Sequence, residues 1–74
     1  MITLQHRGID AVTPREMAVW ECAAYGMSVK ETAHHLGISP STVKVHRGNL
    51  ASKFGIDNGL AAKLTRLWIE REKQ

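Results

Sequence analysis

The tightest constraint on this chain is the run Leu36-Gly37-Ile38-Ser39-Pro40, which ends one amphipathic segment and begins the next with only Gly37 and Ile38 between them. Ser39 offers a side-chain oxygen to cap a helix start. Pro40 suits the first helical position, where the N–H it lacks has no partner anyway. Residues 40–54 then read as a helix closed by Gly55, a residue suited to a left-handed end. At about 100° per residue, Val43, His46, Leu50 and Phe54 share one side, with Ser41, Lys44, Val45, Gly48 and Ser52 roughly opposite. The segment carries Lys44, Arg47 and Lys53 and no acid. An apolar face backed by a small, basic, hydroxyl-bearing face is a shape that the major groove of DNA accepts.

The preceding residues prescribe how that helix is held. Ser28-Val29-Lys30-Glu31 is a capping sequence for a short helix over 29–36, and Gly37 ends it. A small residue, Ala33, falls where two closely joined helices must cross, and Leu36, Ile38 and Val43 supply apolar contacts around the turn. Thr32 and His46 fall at two further positions where apolar residues are usual. The arrangement is a helix-turn-helix. Upstream, Thr13-Pro14-Arg15-Glu16 is a second capping box, with Val12 placed to staple onto the first turn. It predicts a helix over 14–25 that turns Met17, Trp20, Ala23 and Ala24 inward, with Cys22 off that stripe. Downstream, Ile56-Asp57-Asn58 provides a link and a cap. The spacing of Leu60, Leu64, Leu67 and Trp68 then predicts a helix over 59–71.

The expected fold is therefore all-α, with four helices at about 14–25, 29–36, 40–54 and 59–71. Residues 12–74 form one domain behind an N-terminal arm, 1–11. Ile2, Leu4 or Ile9 of the arm can pack on the body, and His6 and Arg7 can reach a DNA backbone. A length of 74 residues allows no second domain, and four aromatics leave a thin, mostly aliphatic core. The net charge of +3 is concentrated in residues 28–54, where Lys30, Lys44, Arg47 and Lys53 face Glu31 alone. Such a balance is compatible with nucleic acid without proving it.

Cys22 is the only cysteine, so no internal disulfide forms, and a reducing cytoplasm is the expected compartment, with the protein on the nucleoid. No apolar run has the length of a membrane span or the pattern of a signal peptide. His34, His35 and His46 do not make a metal site, because adjacent histidines diverge on a helix and no thiol pair supports them. No nucleophile elbow, phosphate loop or paired carboxylate marks an enzyme, and no cofactor is expected.

Val12-Thr13-Pro14-Arg15-Glu16, Gly26-Met27-Ser28, Lys30-Glu31-Thr32-Ala33, Leu36-Gly37-Ile38-Ser39, Ser41-Thr42-Val43-Lys44-Val45-His46-Arg47-Gly48-Asn49-Leu50 and Lys53-Phe54-Gly55-Ile56 together resemble the LuxR-type (GerE-like) helix-turn-helix domain. The resemblance covers about residues 12–68 and is nearest the response-regulator branch, in small stand-alone form. It implies a bacterial or phage transcription regulator whose third helix enters the major groove, commonly paired through the fourth. Lys44 and Val45 match positions that face bases, and Thr42 and Asn49 match positions that face the backbone. Gly59 and Lys63 depart from the family pattern on the fourth helix. Gly48 replaces a base-reading lysine of some relatives.

The expected base-reading group is Lys44, Val45, Ser41, Arg47 and Gly48. Lys44 can donate to guanine or to a phosphate, Val45 can meet a thymine methyl or stand idle, and Arg47 can take base, phosphate or an internal acid. Thr42, Asn49, Lys53, His46 and Lys30 are expected on the DNA backbone. Leu60, Leu64, Leu67 and Trp68 are the expected dimer contact. The expected partners are double-stranded DNA and a second copy of the chain. The competing reading is an adaptor that docks on RNA polymerase or another regulator without touching DNA.

Overall fold

The computed structural model describes residues 11–73, so the expectations for Ile2, Leu4, His6, Arg7 and Ile9 lie outside the described residues. Four helices follow in order: α1 (Pro14–Ala24), α2 (Val29–Leu36), α3 (Pro40–Phe54) and α4 (Leu60–Glu72). Among the described residues there is no strand. The fold is all-α, as the periodicity predicts.

Local chemistry sets the helix starts. The Glu16 N–H donates to Thr13 Oγ1 at 3.1 Å while the Thr13 N–H donates to Glu16 Oε1 at 3.1 Å, a complete capping box. Ser28 and Glu31 repeat it at 3.1 and 2.8 Å. Ser39 accepts from the Thr42 N–H at 3.1 Å, and the two hydroxyl oxygens lie 2.9 Å apart. At the turn, Gly37 has φ +70°, and the Ile38 N–H donates back to the Ala33 carbonyl at 3.0 Å. That backward bond closes α2 and swings the chain straight into the Ser39 cap. The cap of α4 differs from expectation. Gly59, at φ +64°, is the N-cap and offers no side-chain acceptor, so no residue of the 56–58 link caps the helix. Relative to the expected spans, α1 ends one residue early, and α4 both starts and ends one residue late.

The core is assembled around α1, which packs against α4 on one flank and α3 on another, while α2 packs chiefly on α3. Trp20 is wholly buried. Its ring centroid lies 5.0 Å from that of Phe54 on α3 and 5.1 Å from that of Trp68 on α4, the latter edge-on. Its Nε1–H donates to the Leu64 carbonyl at 2.9 Å. Val19, Ala23, Ala33, Val43, Leu50 and Leu64 complete the buried cluster. Arg71 lies over Trp68, 4.7 Å from its centroid, and shields the edge of this cluster. Val12, Met17, Ala24, Leu36, Ile38, Leu60 and Leu67 pack on it from partly exposed positions.

Two expectations change here. Cys22 is buried, 4% exposed, because α1 has neighbours on two flanks and sinks a wider arc than a single inward stripe. Burial, and secondarily the Glu21 charge, push its thiol above the ordinary range. Leu64 and Trp68, expected at a dimer contact, are 0% and 7% exposed and belong to the core of one chain. Both changes follow from the thinness of the domain, which draws Val19, Trp20 and Cys22 of α1 and Leu64 and Trp68 of α4 into one core while Ile69 of α4 stays exposed.

Replacing Trp20 with Phe removes the indole N–H and leaves a gap beside Phe54 and Trp68. The expected loss is about 2 kcal/mol of unfolding free energy, read from the urea midpoint at constant m-value.

Candidate nucleic-acid interface

The candidate interface is the side of α3 that faces away from this core. Val43 and Leu50 are fully buried, and the residues opposite them, Ser41, Lys44, Val45, Gly48 and Ser52, are all exposed. Thr42 and Asn49 are exposed along one margin of that strip, and Lys30 is exposed on α2. Val45 is 59% exposed, an uncommon placement for a branched apolar residue in a helix interior. The face therefore combines one ammonium, an uncovered methyl pair, hydroxyls and a bare glycine, with no acid anywhere on α3. Chemically it can donate to base-edge and phosphate oxygens and can bury a methyl group.

Gly48 does not have a left-handed φ, and a Cβ built there meets nothing within 4 Å. The fold does not require glycine at this position.

Other basic residues of α3 have different surroundings. Lys53, expected on the DNA backbone, turns toward α1: its Nζ donates to Glu16 Oε1 at 2.5 Å and to the Ala11 carbonyl at 2.8 Å. The ammonium is thus paired with α1, its side chain 28% exposed, and turned from the outer strip on which the phosphate contact was expected. Its partner, Glu16, is 4% exposed and was not legible as such, because the pair is separated by 37 residues and Glu16 already has a local role in the capping box. Burial opposes ionisation of Glu16. The hydrogen bonds from Lys53 and the Thr13 N–H, the Lys53 charge and the Asn49 amide outweigh it, and the carboxyl titrates below its ordinary value.

Arg47, expected among the base readers, follows Val43 by four residues and precedes Leu50 by three, so it is rooted on the core side of α3 and is half-buried. It lines a cleft toward the α1–α2 turn and α4 instead of joining the strip of Val45 and Ser52. The spacing alone carried that signal. His46 is also half-buried; its Nδ1 is enclosed without a partner among the described residues, which leaves Nε2 as the ring nitrogen for an outside acceptor. The structure therefore groups Ser41, Thr42, Lys44, Val45, Gly48 and Asn49 on one accessible surface and separates Arg47 and Lys53 from it. Among the described residues no cluster of His, Cys, Asp and Glu could hold a metal ion, and no helix is long and apolar enough to cross a membrane.

Residues 10–64 match the family described as bacterial regulatory proteins, luxR family (GerE). Over 49 residues the chain is 55% identical to the transcriptional regulatory protein UhpA of Escherichia coli K12, covering 66% of this chain and 25% of that protein. It is 39% identical over 71 residues to the nitrate/nitrite response regulator protein homolog of Haemophilus influenzae, covering 96% of this chain and 33% of that one. It is 31% identical over 67 residues to the nitrate/nitrite response regulator protein NarL of E. coli K12, covering 90% and 30%. The chain thus spans a quarter to a third of the length of these relatives. No solved structure gives a significant match.

Two outcomes follow from this geometry. Gly48→Ala is expected to raise stability by about 1 kcal/mol, read as a higher thermal midpoint, because the added methyl costs no contact and favours the helix. The depressed pKa of Glu16 contributes stability that is complete above its unfolded-state value, about 4.3, and that is lost as pH falls through the folded-state value. Urea midpoints measured from pH 6 down to pH 3 should therefore fall further for the unaltered chain than for Glu16→Gln.

Proposed function

The chain belongs to the luxR family of bacterial regulatory proteins, and on that premise we propose that it binds duplex DNA sequence-specifically through the outer face of α3 and so regulates transcription. The observation that carries this reading is the acid-free, exposed strip of Ser41, Lys44, Val45 and Gly48, presented by a helix whose other side is anchored at Val43 and Leu50. Lys44 is the proposed base reader, by donation to a guanine edge, and Val45 the proposed contact to a thymine methyl. Thr42, Asn49, His46 and Lys30 are the proposed backbone contacts, which set register without reading sequence. Ser41 stands at the leading end of the strip, within reach of either.

Pairing of two copies on an inverted repeat, with half-sites about one helical turn apart, is part of the proposal. Leu64 and Trp68 are occupied within the core, and Leu60 and Leu67 are half-buried against it. The side of α4 left for a partner includes Ala62, Arg66 and Ile69, all exposed and spaced along one face, with Ile69 51% exposed.

The test uses DNA selected from a random library at physiological salt, compared with unrelated duplex. Lys44→Ala should lower affinity for the selected site by about tenfold or more, with a much smaller loss on unrelated DNA. Lys30→Ala should lower both alike and reduce the salt slope by about 1. Equal losses from Lys44→Ala on both DNAs would remove its base-reading role. Recovery of no preferred sequence would overturn the proposed function.

A further inference from the structure

We propose that Arg47 anchors a phosphate of the DNA backbone from the cleft between the α1–α2 turn and the start of α4, and reads no base. The inference rests on the DNA-binding reading above. The cleft is open to solvent, has a volume of about 480 Å³ and is lined by Gly26, Ser28, Val29, Ala61 and Thr65 among others, with Arg47 as its one charged lining residue. Among the described residues no carboxylate or carbonyl holds the Arg47 guanidinium. Lys53 makes the contrast: it too turns away from the outer strip of α3, but Glu16 neutralises it. A half-buried cation without a counter-charge carries a desolvation cost that an incoming anion relieves.

Three further features select a DNA phosphate as that anion. The guanidinium fork matches two phosphate oxygens at once. Among the wall residues, Ser28 and Val29 lie at the start of α2 and Ala61 in the first turn of α4, where the helix dipoles also favour negative charge. Lys44 precedes Arg47 by three residues on the neighbouring side of α3 and is exposed. A duplex that receives Lys44 is thereby brought beside the flank of α3 that carries Arg47. Arg47 acts there as a positioning residue that sets how deeply and at what angle α3 enters.

The experiment compares the full chain with Arg47→Gln and Arg47→Lys on selected and unrelated duplexes over a series of salt concentrations. Thermal unfolding of each variant serves as the folding control. Arg47→Gln should lower both affinities by the same factor, about tenfold, and make the slope of log affinity against log salt shallower by about 0.9, the value for one lost phosphate contact. Arg47→Lys, which keeps the charge, should retain the slope. A slope and affinity unchanged in Arg47→Gln would overturn the inference and leave DNA binding intact. A changed base preference in a repeated selection would overturn it in favour of base reading. Absence of duplex binding by the unaltered chain would overturn both the inference and the function on which it rests.

Discussion

The Trp20 indole is the interaction on which the rest of the structure depends. It is wholly buried, touches an aromatic ring from α3 and another from α4, and donates its one hydrogen bond to a carbonyl of α4. Burial of a tryptophan contributes on the order of 5 kcal/mol before entropy is charged against it, a large share of what a domain this small can muster. The hydrogen bond adds direction to that burial. Apolar contact alone lets two helices slide; a buried N–H that must find the Leu64 carbonyl fixes the height of α4 along α1. Because Phe54 packs against the same ring, the C-terminal end of α3 is set by that registration too.

The N-terminal end of α3 is set differently, by backbone chemistry at the turn. Gly37 adopts a left-handed conformation, the Ile38 N–H bonds back to Ala33, and Ser39 then caps α3 within two residues. Little slack remains between α2 and α3. A helix held by a packed aromatic at one end and a closed turn at the other can present Lys44 and Val45 in one orientation, which is what recognition of base edges demands.

Three cations on α3 show how far tertiary structure divides the work of one residue type. Lys44 faces solvent, Lys53 is bound to Glu16 and Ala11, and Arg47 lies half-buried in a cleft. The sequence shows three bases on an acid-free helix, and the natural reading directs all three at one polyanion. Spacing already sets Arg47 toward the core side of α3, and the positions of α1 and α4 decide what Arg47 and Lys53 meet there. Lys53 is bound internally because α1 carries Glu16 to its side of α3. Arg47 has no counter-charge among the described residues because none of those lining the cleft toward α4 is a carboxylate.

Capping, glycine and periodicity were enough to place four helices within a residue or so at each end, and to name Val43 and Leu50 as the inner face of α3 and Lys44, Val45 and Gly48 as the outer. Those signals are local: a cap spans three residues and a helix face repeats every three or four, so they survive in a one-dimensional text. The contacts that escaped it join distant segments. The Glu16–Lys53 pair, the burial of Cys22 on a helix flanked on two sides, the withdrawal of Leu64 and Trp68 into the core and the cleft around Arg47 all depend on which helix lies beside which. The sequence by itself determined the helices and the outward face of the third. The tertiary structure decided which of its charges remain available, because an ion pair or a cleft between helices exists only once those helices have packed.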